Sequence, residues 1–358
     1  MNMRGPVVRR GKSLRSTLGL GETLFASAEE RRFVSLVEEG LEEVEAGLLK
    51  EMSFADNLAD VTSRYLLEAG GKRVRPTLAL LTAQLGEGNN PSVIAAAEAI
   101  EITHLASLYH DDVMDEAQMR RGVPSAQSVW GNSVAILTGD LLFARASRLV
   151  ADLGEEIIRL QAGTFERLCL GQLHETIGPG DGEDPIQHYI RVLADKTGSL
   201  IAAAAQTGVV LSNAPREYLD PVTEFGEKIG VAFQLVDDVI DLSPLVGETG
   251  KTPGTDLRSG VSTLPLLYLR RLAETDSDAD ELLTRIERDV NVAQYGQSDD
   301  GELTAAIAEL REHDVTSQTL AEAHRWAREA VEALEPLPDG PVKKALTRFA
   351  DSIVERSN

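Results

Sequence analysis

The sequence predicts an all-α fold, and three observations carry that expectation. Ala, Leu, Glu and Arg are plentiful among the 358 residues while only 4% are aromatic, which is the composition of a helix-forming chain. Apolar residues recur at helical spacing, as in Phe33, Leu36, Val37, Leu41, Val44 and Leu48 with Glu-rich positions between them. No run of alternating segments supports a sheet. Taken in order, helix is expected from Glu22 onward, with Ser53 capping the second helix and Gly70-Gly71 ending it. Pro76 opens a helix to about Leu85, where Gly86-Glu87-Gly88-Asn89-Asn90-Pro91 makes a turn. Ser92 starts an Ala-rich helix that Arg120-Arg121-Gly122-Val123-Pro124 breaks. Helices follow near 133–153, 155–176, 185–212 and 216–242, then a Gly/Pro/Thr loop over 243–256. The stretch 274–301 is acidic and weakly periodic, and helical pattern returns over 302–355.

With 42% hydrophobic residues the chain can bury a large core. The net charge of -23 argues against nucleic-acid binding and against an anionic membrane surface. Cys169 is the single cysteine, so neither an intrachain disulfide nor a cysteine zinc site is available, and a cytoplasmic protein is the simplest reading. The apolar run Leu200 to Leu211 is too short to span a bilayer, so no stable membrane insertion is expected. Residues 1–22 read as a basic, disordered tail with Arg4, Arg9, Arg10, Lys12 and Arg15, an organellar transit peptide being the competing reading. Residues 23–358 read as one all-helical domain.

Chemistry concentrates in an acidic signature that occurs twice, as Asp111-Asp112-Val113-Met114-Asp115 and as Asp237-Asp238-Val239-Ile240-Asp241. On a helix the three carboxylates of each fall near one face. One such motif is usually a solvated charged surface. Two copies, each embedded in apolar sequence, instead need a partner, and a hard divalent cation such as Mg²⁺ suits oxygen ligands. Cations supply the complement. Gly70-Gly71-Lys72-Arg73-Val74-Arg75-Pro76 places them in a flexible loop before a helix, where glycine and the helix N-terminus favour an anion. Arg120-Arg121, Lys196-Thr197-Gly198 and Gly250-Lys251 add more. Any one of these is ordinarily a surface charge; together, in an acidic protein, they read as two anion pockets near a metal cluster.

The order of these blocks, with His104 seven residues before Asp111 and Phe233-Gln234 leading into the second motif, resembles the trans-isoprenyl diphosphate synthase family (polyprenyl synthetases), long-chain type. The likeness runs from about residue 23 to the end. It implies an isoprenoid synthase bundle of long helices around a deep central cavity, usually a homodimer. It also implies that isopentenyl diphosphate is condensed head-to-tail with an allylic diphosphate to an all-trans polyprenyl diphosphate, destined for a quinone side chain. By the same resemblance, Asp111, Asp112, Asp115, Asp237, Asp238 and Asp241 are ligands of Mg²⁺, up to about three ions per site. Arg120, Lys196 and Lys251 contact the allylic diphosphate. Lys72, Arg75, His104 and Arg121 form the isopentenyl diphosphate pocket. Thr197 and Gln234 lie beside the reacting carbons, so that Asp111, Asp115, Lys196, Thr197, Gln234 and Asp237 are the catalytic set. Val261 departs from the pattern, since many members carry Lys there; weakened diphosphate contact is expected, with activity kept.

Small residues at Ala106 and Ser107, where short-chain synthases often place an aromatic, imply a product longer than C20, about C30 to C50. Leu141, Leu142 and Phe143 are candidate floor residues of the tail path. A geranylgeranyl diphosphate synthase is the alternative. A class I terpene cyclase has less need of Lys72, Arg75 and His104, and a regulatory subunit of a heteromeric synthase typically loses its Asp motifs.

Overall fold

In the computed structural model, which describes residues 27–243, 253–294 and 300–357, the helix carrying the first acidic motif is buried almost end to end. The chain opens with α1 (Ala28–Glu51), α2 (Asn57–Glu68), α3 (Val74–Ala83) and α4 (Pro91–Met114). A hairpin follows, β1 (Met119–Arg120) against β2 (Val123–Pro124), the one sheet among the described residues. Then come α5 (Ala126–Trp130), α6 (Asn132–Ala151), α7 (Glu155–Ile177) and α8 (Pro185–Leu193). A wide π turn at Ala194–Gly198 separates α8 from α9 (Ser199–Leu211), so the helix expected over 185–212 is interrupted at Lys196-Thr197. The remainder is α10 (Leu219–Asp241), α11 (Thr255–Arg258), α12 (Leu264–Ala273), α13 (Ser277–Gln294), α14 (Asp300–Glu312), α15 (Asp314–Ala333) and α16 (Pro341–Val354). The expected basic tail lies outside the described residues.

The described residues group into two units, each assembled from separated stretches. One takes residues up to Glu166, Ser199–Gly226 and Val331–Phe349; the other takes Arg167–Gly198, Glu227–Ala330 and the chain from Ala350 on.

In the first unit α4 is the axis. Asn90 caps it, its Oδ1 accepting from Ser92 N and Val93 N at 2.9 and 3.0 Å, with Pro91 at the first turn. Val93, Ala97, Ile102, Leu105 and Tyr109 are all fully buried, each large one contributing about 1.5–3 kcal/mol of apolar burial. Tyr109 Oη donates to Thr62 O and accepts from Leu66 N at 3.3 Å, which fastens α2 to α4. Small residues let α9 approach α3: Thr82 Oγ1 donates to Ala205 O at 2.8 Å, and a Cβ on Gly208 would collide with Ala79 O.

Two local expectations change. Asp56, not Ser53, caps α2, with Oδ1 accepting from Leu58 N at 3.0 Å and Ala59 N at 2.9 Å. Ser53 instead donates to Leu49 O at 2.7 Å, ending the preceding helix. The acidic stretch after Glu274 is the regular helix α13, because Ala279, Leu282 and Ile286 make a narrow buried stripe in the second unit while Asp278, Asp280, Glu281 and Glu287 stay exposed. Among the described residues, no helix is long and apolar enough to cross a membrane.

Candidate active site

The first acidic motif occupies the end of α4. Asp111 and Asp112 lie in its last turn and Asp115 is the C-cap, its N–H donating to Asp111 O at 2.8 Å. A helix C-terminus already carries partial negative charge, so three carboxylates there are unfavourable without a cation. Asp112 is fully buried. Its Oδ1 accepts from Arg120 Nε at 2.6 Å, while its buried Oδ2 has no hydrogen-bond partner. Burial raises the Asp112 carboxyl and Arg120 opposes the rise.

The hairpin explains why two adjacent arginines serve different places. Arg121 and Gly122 both have positive φ, 53° and 77°, the geometry of a two-residue hairpin turn. Arg120 points back to Asp112. The Arg121 guanidinium donates to Leu66 O at 2.9 Å and to Gly70 O, at the end of α2.

Next to it lies the loop before α3. Arg73 is its N-cap, with left-handed backbone (φ 51°) and no side-chain cap, so the first N–H groups of α3 are left for another acceptor. Arg75 has a buried Nε without a hydrogen-bond partner. Burial pulls its pKa to about 10, with Glu101 opposing the shift and Arg121 adding to it. His104 is held well below the ordinary imidazole range by burial and then by Arg75, Arg121, Arg120 and Arg73, so it is neutral at pH 7. Lys72 is exposed. This cluster of cations surrounds a single buried carboxylate, Glu101 at 2% exposure, and its excess positive charge fits a diphosphate.

The second motif, in the other unit, also ends its helix, α10. Asp238 is buried and accepts from Tyr189 Oη at 2.8 Å and Leu264 N at 3.3 Å; burial pushes its carboxyl up to about 8. Asp237 pairs with Arg356 at 3.1 Å, and Asp241 accepts from Asp256 N at 3.1 Å. In the same unit the π turn carries Lys196 and Thr197. A Cβ on Gly230 would fall 2.5 Å from Gly198 Cα, so two backbones approach closely at the end of the π turn. Lys196 Nζ meets Glu175 at 2.6 Å, and Gln234 and Thr197 are half-buried. Lys251 lies outside the described residues.

Among the described residues, no three His, Cys, Asp or Glu side chains form a cage ready for a metal ion. The donors nevertheless fit one kind of ion. They are oxygens only, and one buried carboxylate oxygen, Asp112 Oδ2, lacks a partner. Mg²⁺ is typically held by one or two carboxylates with waters and substrate phosphates completing the shell, so a closed protein cage is not required.

A narrow crevice with a cavity volume of about 10 Å³, enough for one water molecule, lies in the first unit, lined by Ala96, Ile100, Leu160, Gln161, Ala203 and Thr207. Ala96, Ile100, Thr103 and Ser107 share the face of α4 that leads to Asp111, and the crevice begins about 16 Å along the axis from it. Gln161 Nε2 donates to Thr103 Oγ1 at 2.9 Å on the way. Ala106 and Leu142 are fully buried, and Phe143 stacks between His110 and Phe165 at centroid distances of 5.5 and 4.3 Å. Sequence reasoning missed the crevice and Tyr189, which carry no local signal. It also missed Glu101, although that residue lies one helical turn before His104.

The polyprenyl synthetase family model matches residues 56–297. A nonaprenyl diphosphate synthase of Mycobacterium tuberculosis is 42% identical over 94% of this chain and 96% of that protein. The structure of a polyprenyl synthase from Caulobacter crescentus, complexed with calcium and isoprenyl diphosphate, superposes with a TM-score of 0.82 at 28% identity, covering 92% of this chain and 98% of that one. A geranylgeranyl pyrophosphate synthase structure from Corynebacterium glutamicum gives 0.77 at 39% identity, with 93% and 99% covered.

Proposed function

The chain belongs to the polyprenyl synthetase family and is a prenyltransferase that joins units head to tail; we infer that it extends an allylic diphosphate with isopentenyl diphosphate to an all-trans product longer than C20. The observation that carries this reading is the cationic pocket of Arg75, Arg121 and neutral His104 in a protein of net charge -23, linked through Arg120 to the first acidic motif. A cyclase, which ionises one diphosphate, has less use for such a pocket.

Divalent cations assist the reaction. Mg²⁺ is the ion proposed, held by Asp111, Asp112, Asp115, Asp237, Asp238 and Asp241, and when bound it neutralises charge on the departing diphosphate. Arg120, Lys196 and Lys251 bind the allylic diphosphate, and Lys72, Arg75, His104 and Arg121 bind isopentenyl diphosphate. Neutral His104 contributes a hydrogen bond without adding a further charge. Thr197 and Gln234 offer neutral dipoles to the developing allylic cation, where a free water would end the reaction. After attack by the isopentenyl double bond, the proton passes to the released diphosphate, and no side-chain base is needed. A single domain over 23–358, a homodimer and a cytoplasmic setting belong to the same proposal. So does a quinone side chain as destination.

Ala106 and Ser107 are small enough to let the tail pass, and the likeness to the nonaprenyl diphosphate synthase supports the longer product. The likeness to the Corynebacterium enzyme keeps a C20 product as the second reading. Incubating the purified chain with Mg²⁺, farnesyl diphosphate and labelled isopentenyl diphosphate, then sizing the product, decides. Products of C30 to C50 are expected, and Ala106→Phe should shorten them. A C20 end product, or no extension of farnesyl diphosphate, rejects the length, and inactivity rescued by a partner chain points to a heteromeric subunit.

A further inference from the structure

Arg73 sits between Lys72 and Arg75 in the chain, and its own guanidinium is taken up by protein groups. Its Nε donates to Glu45 Oε1 at 2.6 Å on α1, its Nη1 to Glu101 Oε1 at 3.2 Å on α4, and its Nη2 to Leu67 O at 3.4 Å on α2. Its own carbonyl begins α3, accepting from Thr77 N at 3.0 Å and Thr77 Oγ1 at 2.8 Å. One residue therefore ties four helices together. It does so in left-handed backbone, which a side-chain-bearing residue rarely adopts unless its surroundings hold it there. Gly71 is part of the same fit, since a Cβ there would strike the Arg73 guanidinium and come within 3.1 Å of Arg121 Nη1.

Glu101 completes the arrangement. It is the buried carboxylate whose charge acts on Arg73, Arg75 and Arg121 together. Arg73 takes up its direct contact, Arg121 Nη1 is held by Leu66 O and Gly70 O, and Arg75 keeps a buried Nε without a hydrogen-bond partner.

We propose that Arg73, anchored by Glu45 and Glu101, is a positioning residue that fixes the 70–75 loop so that Lys72 and Arg75 present to the diphosphate of isopentenyl diphosphate. The proposal rests on the assignment of that pocket to isopentenyl diphosphate. Arg73 does not touch substrate; it sets where its two neighbours stand, and a displacement of about 1 Å at such groups can cost 100-fold.

The test is steady-state kinetics of the full chain with each substrate varied at saturation of the other. Arg73→Ala and Arg73→Gly should both raise KM for isopentenyl diphosphate about 10- to 100-fold, with KM for the allylic substrate nearly unchanged. Glycine accepts the left-handed backbone, so equal damage from both variants assigns the effect to the anchors. Arg73→Lys should recover part of the loss. Glu45→Gln, at the half-exposed end of the ion pair, tests the idea with little threat to folding and should raise the same KM about threefold to tenfold. Unchanged KM in folded Arg73→Gly and Glu45→Gln overturns the proposal. So does an equal rise of both KM values alongside a fall in melting temperature, the mark of a merely structural role. A wild-type chain that turns over farnesyl diphosphate without using isopentenyl diphosphate overturns the function itself, and the positioning role with it.

Discussion

The two acidic motifs differ at one residue, Met114 against Ile240, yet their middle aspartates live in different electrostatic surroundings. Asp112 is buried against a guanidinium, which opposes the upward shift that burial imposes on its carboxyl. Asp238 is buried against a phenol and a backbone N–H, neutral donors that offset less of the burial, and its carboxyl rises to about 8. Identical letters thus acquire different charge behaviour from the partners that the fold brings to them. The outer aspartates, at the ends of α4 and α10, are the more accessible ones in both motifs. The middle residue of each serves to fix its helix end to a neighbour: Arg120 of the hairpin in one unit, Tyr189 of α8 in the other.

That contrast can be broken at its stronger end first. Asp112→Ala strands Arg120 and removes a buried carboxylate from the motif, and turnover should fall about 100-fold or more. Turnover within about threefold of wild type at saturating Mg²⁺ would show that the Asp112–Arg120 pair is dispensable. The neutral partner should matter less. Tyr189→Phe removes one hydrogen bond to Asp238 and should lower activity about tenfold and stability by about 1 kcal/mol, measured by kinetics and urea unfolding. A loss as large as that of Asp112→Ala would erase the distinction between the two settings.

The smallest effect comes from an acid outside both motifs. Glu98 on α4 is buried beneath Gly47, and its pKa rises to about 7, first through burial and then through Glu51. A carboxyl raised on folding favours the folded state below its unfolded value of 4.5, and that contribution is lost as pH rises through about 7. Glu98→Gln should therefore flatten the fall in stability between pH 5 and 8 and stabilise the chain by about 1 kcal/mol at pH 8, with turnover unchanged. Urea unfolding across that range checks it, and parallel profiles for both proteins would contradict it.

How far the sequence could be read follows from the range of the interactions involved. The Phe33 stripe, the end of α4 and the order of charged blocks are local patterns, and each could be seen in the letters. The cap at Asp56 was hidden because Ser53 is also a good capping residue; only the path of the chain decides between them. Helix α13 was masked by its acids, since a three-residue apolar stripe is a weak periodic signal. The π turn at Lys196 ends where Gly198 meets Gly230, a long-range approach that no local pattern announces. In the site, Lys72 and Arg75 were legible from the glycine-rich loop. Arg73 was not, because its ion pairs reach residues 28 positions away on either side.

The central claim is that both acidic motifs, in spite of their different surroundings, hold the same kind of divalent ion for an allylic diphosphate. Mn²⁺ substituted for Mg²⁺ makes this directly measurable by electron paramagnetic resonance, with an unreactive thio analogue of farnesyl diphosphate present. The account predicts analogue-dependent Mn²⁺ binding by the wild-type chain, reduced both in Asp111→Ala/Asp115→Ala and in Asp237→Ala/Asp241→Ala. Full Mn²⁺ binding in either folded double variant would contradict it.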